Sequence, residues 1–368
     1  MTDHLAPMDV TSRLERLRPR IDGAAVDALL VTSLPNVRYL TGFAGSAGVL
    51  LVSADRAMLA TDGRYRAQAA EQVAAAGLAG AIELVVGGRE RQRDALVAAA
   101  GGSPRLGLEA EDVTWGAQRR WATAFGMDLV ATAGVVEGLR QVKDAGEIDR
   151  MRRAASIADE ALGEVLPMLG EGRSEAEVAL ALDGAMRRIG AEDRAFETIV
   201  ASGPNAAKPH ARPTDRAIRL GDPVVVDFGA ILEGYRSDMT RTFCVGGAPA
   251  GGLGRMFAVV GEAQAAGVAA VRSGVTCGTV DQVCRHVIAE AGWAEHFEHG
   301  TGHGVGLDIH EAPSVGPGST AILAPGIVVT VEPGVYLAGI GGVRVEDTVV
   351  VTDDGCLPLT RFPKDVAA

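Results

Sequence analysis

Short apolar runs alternate with amphipathic stretches through the first third of the chain. Ala28 to Val31, Val49 to Val52, Met58 to Ala60, Ile82 to Val86, Arg105 to Glu109 and Leu129 to Ala131 have strand length and flanking turn residues. Between them, Thr11 to Ile21, an alanine-rich stretch ending near Ala76, Arg89 to Ala100 and Thr114 to Phe125 read as helices. Thr61-Asp62-Gly63-Arg64-Tyr65 supplies the N-cap of the alanine-rich one. This alternation predicts an α/β domain. Gly42, Gly45 and Gly48 are spaced GxxGxxG and open no helix, so they read as turn glycines, not a dinucleotide site. The first third holds no catalytic constellation.

The polar stretch Leu139-Arg140-Gln141-Val142-Lys143-Asp144 precedes a long helical pattern from Glu147 to about Leu169. A domain boundary is expected there, dividing the chain into residues 1–138 and 139–368. Beyond it the pattern repeats. Gly172, Ser174, Val178 and Gly190 recur, 102 residues on, as Gly274, Thr276, Val280 and Gly292, each set framing a helix between a hydroxyl cap and a glycine stop. Gly221-Asp222-Pro223-Val224-Val225-Val226-Asp227-Phe228-Gly229 then matches Gly326-Ile327-Val328-Val329-Thr330-Val331-Glu332-Pro333-Gly334. Helix, helix and strands occur twice, and Asp227 and Glu332 fall at equivalent places.

Those acids bring in chemistry. Val224 to Ala230 and Tyr235 to Val245 read as a hairpin turning near Leu232-Glu233-Gly234. Asp227 and Asp238 lie symmetrically about that turn, which would set them opposite each other, with Cβ atoms about 5 Å apart. Two carboxylates so close, among apolar strand residues, resist joint ionisation and call for a cation. Glu332 ends the strand Ile327 to Val331, whose ladder Pro333 stops. Glu346 lies in Val343-Arg344-Val345-Glu346-Asp347, where Arg344 and Glu346 would share a strand face. Between the acids lies His299-Gly300-Thr301-Gly302-His303-Gly304-Val305-Gly306-Leu307-Asp308-Ile309-His310-Glu311. Its glycines argue against a helix, and an extended backbone would put His299, Thr301 and His303 on one face. Taken alone, this stretch fits a glycine-rich loop with incidental histidines equally well. Together, Asp227, Asp238, Glu332, Glu346 and a neutral His303 balance two divalent ions. Such a pair holds a hydroxide and polarises a substrate oxygen. The donor set suits manganese, cobalt or zinc. His210, in a Pro/Gly/Asn-rich loop, becomes a candidate for binding substrate. His286, His296 and the tail residue His4 read as structural or solvated.

Composition narrows the partners. Of 368 residues, 47% are hydrophobic and 22% charged, which fits two globular domains. A net charge of −12 argues against nucleic acid and anionic membranes. Cys244, Cys277, Cys284 and Cys356 form no CxxC pair and read as reduced thiols. No basic segment followed by an apolar run opens the chain, and no apolar run approaches membrane-spanning length, so a cytoplasmic location is expected.

Taken in order, VVVDFG, SDMTRTF, HGTGHGVGLDIHE, VTVEPGVY and VRVEDT resemble the pita-bread metallopeptidase family, nearest its Xaa-Pro peptidase branch of prolidase and aminopeptidase P. The N-terminal NVRYLTGFAGSAG and ATDGRYRAQA stretches resemble that branch's non-catalytic domain. The resemblance implies an α/β N-terminal domain and an α+β pita-bread catalytic domain with an internal pseudo-two-fold repeat. It implies two metal ions, manganese first and cobalt or zinc as alternatives, on Asp227, Asp238, His303, Glu332 and Glu346. Glu332 would also serve as acid and base, and His310 would stabilise the tetrahedral intermediate. His210 and His299 would flank the scissile bond and the proline side. Arg344 would support Glu346 and the site, and Tyr336 would line the proline pocket. The implied substrates are small peptides with proline second, and the implied assembly is a homodimer. The rival readings are a same-fold peptidase of other specificity, a metal-free amidinohydrolase of the creatinase kind, and a non-catalytic peptide-binding protein.

Overall fold

The structure, a computed structural model, describes residues 5–101 and 103–364. His4 lies outside the described residues. The chain falls into two compact units, Met8–Arg140 and Gln141 onward, the latter joined by the segment ending at Pro7.

Met8–Arg140 contains α1 (Arg13–Gly23), β1 (Ala28–Val31), α2 (Leu34–Thr41), β2 (Val49–Ser53), β3 (Ala57–Thr61), α3 (Arg66–Ala75), β4 (Glu83–Val86), α4 (Arg89–Ala99), β5 (Leu106–Glu109), α5 (Trp115–Phe125), β6 (Val130–Thr132) and α6 (Glu137–Arg140). All six expected strands join one sheet, in the order β4-β3-β2-β1-β5-β6, antiparallel at β1–β2 and β2–β3 and parallel elsewhere. Leu30, Leu51, Met58, Leu96 and Leu108 are among its packed core residues. The Asp62 side chain accepts from the Arg64 amide and caps a short turn that leads into α3. Helix α2 was not legible as a helix, since it is only eight residues long. Pro35 sits in its first turn and Gly42, at φ 74°, ends it.

The second unit opens with α7 (Ala145–Val165) and α8 (Glu175–Ile189). Each starts at a reciprocal cap, Asp144 with Glu147 and Ser174 with Glu177. The strands β7 (Asp193–Arg194), β8 (Ile199–Ser202), β9 (Pro223–Phe228), β10 (Ala230–Leu232), β11 (Tyr235–Arg236) and β12 (Met239–Cys244) follow. The pattern then recurs with α9 (Gly251–Ala270) and α10 (Cys277–Glu290), capped by Thr276. After it come β13 (Gly302–Gly304), β14 (Glu311–Val315), β15 (Val328–Val331), β16 (Gly334–Leu337), β17 (Gly341–Arg344), β18 (Asp347–Val351) and β19 (Cys356–Pro358). The sheets are β11-β10-β7, β12-β9-β8, β14-β13-β15-β18-β19 and β16-β17.

Each repeat has its own core. Leu162, Leu182 and Met186 of the first helix pair pack with Val224, Val226 and Phe228 of β9. Met256, Val260, Val280 and Cys284 of the second pack with Val329 and Val331 of β15. Period-two alternation therefore turns Asp227 away from the helices that its neighbours face. The two halves are stitched together by side chains on the strands. Thr242 Oγ1 donates to the Arg344 carbonyl at 2.7 Å, Thr348 Oγ1 to the Asp238 carbonyl at 2.8 Å, and Arg241 Nη2 meets Asp347 at 2.9 Å.

Three local expectations need correction. Asp227 does not face Asp238, because β9 and β12 pair Asp227 with Thr240. The turn is the two-residue Glu233-Gly234, with φ of 44° and 79° between the paired Leu232 and Tyr235, and that shifts the register past the expected centre. Asp238 remains diagonal to Asp227. Arg344 and Glu346 lie on no common strand, since β17 ends at Arg344 and β18 begins at Asp347. The extended stretch 299–303 is shorter than expected, because β13 starts only at Gly302. Thr301 turns inward, donating to Asp281 Oδ1 at 2.9 Å. All four cysteines are free. Among the described residues, no helix is long and apolar enough to cross a membrane.

Removing the cap of α8 should be tolerated. Ser174→Ala is expected to lower unfolding stability by about 1 kcal/mol, read as a reduced urea midpoint with unchanged slope.

Candidate metal centre

A cavity of about 590 Å³ opens in the second unit. Asp227, Asp238, His299, His303, Glu332, Arg344 and Glu346 line it, together with His210, His310, Phe196, Ile199, Ile309 and Ser314. The sequence-predicted acids thus converge from four places: the end of β9, the start of β12, the end of β15 and the β17–β18 junction. Ligand oxygens of Asp227, Asp238 and Glu346 lie within 4.8 Å of one another. His303 Nε2 is 3.6 Å from Asp238 Oδ2 and 3.4 Å from Glu332 Oε1. The glycines let the backbones approach: a Cβ on Gly302 would meet the Thr330 carbonyl oxygen at 2.0 Å.

The donors are set for a cation. His303 Nδ1 lies 3.0 Å from the Gly304 carbonyl oxygen. A carbonyl only accepts, so Nδ1 carries a proton, and burial disfavours a second one, which leaves the Nε2 lone pair facing the carboxylates. A lone pair aimed at anionic oxygens is repulsive without a positive charge between them. Asp227 Oδ1 and Glu346 Oε1 are buried with no hydrogen-bond partner, an arrangement that costs free energy unless an ion meets them. Burial, then the neighbouring carboxylates, push Asp238 and Glu346 well above the usual carboxylate range. Burial likewise raises Glu332 to about 7. Divalent ions relieve all three effects, so the residues present fit the metals that their chemistry implies.

Behind the acids runs a fixed relay. Arg344 Nη2 donates to Asp227 Oδ2 at 2.6 Å, and Nη1 to the Tyr336 hydroxyl at 2.7 Å. Tyr336 is 2.9 Å from His299 Nε2, and His299 Nδ1 is 2.8 Å from the Gly300 carbonyl oxygen. His299 Nδ1 is therefore the donor, and Nε2 accepts from Tyr336. Burial lowers His299 to about 4, so the ring is neutral, with both nitrogens engaged. Arg344 meets Asp227 directly and supports Glu346 through Thr240. One implied placement changes. Tyr336 is buried behind the cavity wall and is not among its lining residues. His210 and His310 are exposed to the cavity, and the His310 ring packs edge-on against His303 at 4.4 Å.

Sequence reasoning missed Thr240. Its hydroxyl donates to Glu346 Oε2 at 2.7 Å and accepts from Arg344 Nε at 3.1 Å, so it joins the two residues that share no strand. It lies two positions after Asp238 on the same strand face, and period-two spacing could have found it. Thr330 acts similarly, reaching Glu332 Oε1 at 3.2 Å.

A carboxylate–imidazole cluster at the wall of an open cavity, on a duplicated helix–strand scaffold, defines a metal-dependent hydrolase. Residues 149–353 match metallopeptidase family M24 and residues 13–142 match the creatinase/prolidase N-terminal domain. The chain belongs to metallopeptidase family M24 and carries that N-terminal domain; it is an enzyme of the pita-bread fold. It is 42% identical to the uncharacterized peptidase YqhT of Bacillus subtilis, over 96% of this chain and 99% of that one. It superposes on an Xaa-Pro dipeptidase from Bacillus anthracis with a TM-score of 0.93 at 39% identity, covering 97% of this chain and 99% of that one. An X-Pro aminopeptidase from Thermotoga maritima gives a TM-score of 0.87 at 35% identity, over 97% and 100% of the two chains.

The electrostatics set a sign for pH dependence in chelator-stripped protein. Glu332 holds its proton more tightly when folded, so its favourable contribution is present below the unfolded value of 4.5 and is lost as pH rises through about 7. Added Mn²⁺ or Zn²⁺ should therefore raise the thermal midpoint more at pH 8 than at pH 5. At a hundredfold excess over Kd the gain at pH 8 should be about 2.7 kcal/mol for each ion bound. Equal midpoints with and without ions at pH 8 would contradict the assignment.

Proposed function

We propose that this enzyme hydrolyses Xaa-Pro peptide bonds at the N-terminus of dipeptides or short peptides. It uses two divalent ions, manganese first, held by Asp227, Asp238, His303, Glu332 and Glu346. The observation that carries the reading is the pair of buried, partnerless carboxylate oxygens on Asp227 and Glu346, beside a histidine lone pair turned toward acids. The likeness to two solved structures, an Xaa-Pro dipeptidase and an X-Pro aminopeptidase, supports the substrate class.

When bound, the ions supply an electrophile for the scissile carbonyl and acidify a water from about 15.7 to roughly 7. The chain's residues do the rest. Glu332, at the cavity wall beside His303, takes a proton from the attacking water and returns it to the leaving proline nitrogen. His310, at the open side of the cavity, offers a ring N–H to the developing oxyanion. His210 contacts the substrate from the loop between β8 and β9. The neutral His299 presents its ring as a wall, held by Tyr336. Arg344 orients Asp227. A bond before proline has no N–H to recognise, so activation through the carbonyl is the chemistry that suits it. Catalysis belongs to residues 139–368, and residues 1–138 carry no chemical role in this reading. The working form is read as a cytoplasmic homodimer.

The test uses chelator-stripped protein refilled with Mn²⁺, offered Ala-Pro and the same sequence extended by several residues. Cleavage of the dipeptide alone makes it a prolidase; cleavage of the longer peptide makes it an aminopeptidase P. Cleavage of neither, with Zn²⁺ and Co²⁺ also tried, would refute the reading. Asp227→Asn should lower kcat/KM by more than the roughly 10–100-fold that loss of a mere supporting partner costs, with the fold intact by circular dichroism.

A further inference from the structure

His210 sits in the connection between β8 and β9, which has no regular structure beyond a short turn at Gly203–Ala207. A connection of this length loses much conformational freedom when ordered, and something must hold it. The holder is Glu175, the first residue of α8 and fully buried. Its Oε1 accepts from the Ser202 amide and the Ser202 hydroxyl, both at 2.7 Å, and from Asn205 Nδ2 at 3.1 Å. Its Oε2 accepts from Asn205 Nδ2 at 3.1 Å, the Thr214 amide at 3.0 Å and the Thr214 hydroxyl at 2.6 Å. One carboxylate thus ties down both feet of the loop, residues 202 and 205 on one side of His210 and residue 214 on the other. The Ala176 amide adds a bond to the Thr214 carbonyl at 3.1 Å. At the crest, Arg344 Nη1 donates to the Pro209 carbonyl at 3.2 Å, next to His210 and from a residue of the metal site.

The second repeat does the same with different residues. Asp281 of α10, also fully buried, accepts from the Thr301 amide at 3.2 Å and its hydroxyl at 2.9 Å. It also binds Arg285 Nε at 2.8 Å, and Arg285 reaches the carbonyls of Phe297 and His299. In both halves an acid on the second helix fastens the loop that carries a cavity histidine.

We propose that Glu175 is a positioning residue for hydrolysis, acting through the His210 loop, with Asp281 its counterpart for the His299 loop. This rests on the Xaa-Pro reading for its substrate but not for its structural arm. Glu175→Gln keeps the volume yet turns an NH₂ toward amide and hydroxyl donors, so part of the staple is lost. In the manganese-loaded full-length enzyme it should speed amide hydrogen exchange across residues 203–213 while leaving residues 224–228 protected and metal content unchanged. It should lower kcat/KM on Ala-Pro by about 10–100-fold, the scale of a small misplacement near the chemistry. In a His210→Ala background the same change should cost almost nothing more. Thr214→Val, which cuts the staple from the loop side, should give a smaller effect of the same pattern and serves if Glu175→Gln fails to fold. Unchanged exchange in both variants, or full additivity with His210→Ala, would overturn the proposal. A wild-type enzyme that cleaves another peptide but not Ala-Pro would overturn the substrate reading alone; the exchange arm and the cycle on that peptide would still decide the role of Glu175.

Discussion

Four carboxylates and one imidazole lone pair are brought within a few ångströms of one another at the wall of a single cavity. In a low-dielectric setting that arrangement is unfavourable by itself, because neither burial nor like-charge proximity favours the ionised acids. Arg344 offsets part of it through its ion pair with Asp227. The remainder calls for divalent cations. Much of the second unit can be understood as the means of holding these groups against their mutual repulsion until such ions bind.

The scaffold does this by duplication. In each repeat, two helices cover one face of a strand pair, and alternation sends an acid out of the other face. Asp227 and Glu332 are the two outcomes, one from β9 and one just past β15. Hydroxyl side chains then lock the halves together at the site: Thr240 between Glu346 and Arg344, Thr242 on the Arg344 backbone, Thr348 on the Asp238 carbonyl. These bonds are buried, so each fixes geometry as well as satisfying a polar group. The same logic extends outward through Glu175 and Asp281, which hold the loops that carry His210 and His299.

A relay runs from Arg344 through Tyr336 to His299. One guanidinium orients a carboxylate on one side and holds the Tyr336 hydroxyl on the other, against a His299 whose proton the Gly300 carbonyl fixes on Nδ1. Histidines that looked alike along the chain therefore play different parts. His303 turns a lone pair toward the acids, His299 is a neutral wall, and His210 and His310 face open space.

Much was legible in the sequence because strands and caps are local. The six N-terminal strands, the capped helices and the duplicated helix–strand order follow from hydrophobic period and capping chemistry. The acids were legible because a carboxylate at the end of an apolar strand is conspicuous, and because the repeat put a second one in the equivalent place. What the sequence left open depends on pairing across distance. The register that sets Asp227 beside Thr240 hangs on which two residues make the turn. The partner of Arg344 depends on where β17 stops, and the burial of Tyr336 on the sheet it faces. Sequence by itself determined which groups are candidates for the chemistry. Only the tertiary structure decided which of them meet, because contact between residues a hundred positions apart is set by packing and register, not by local preference.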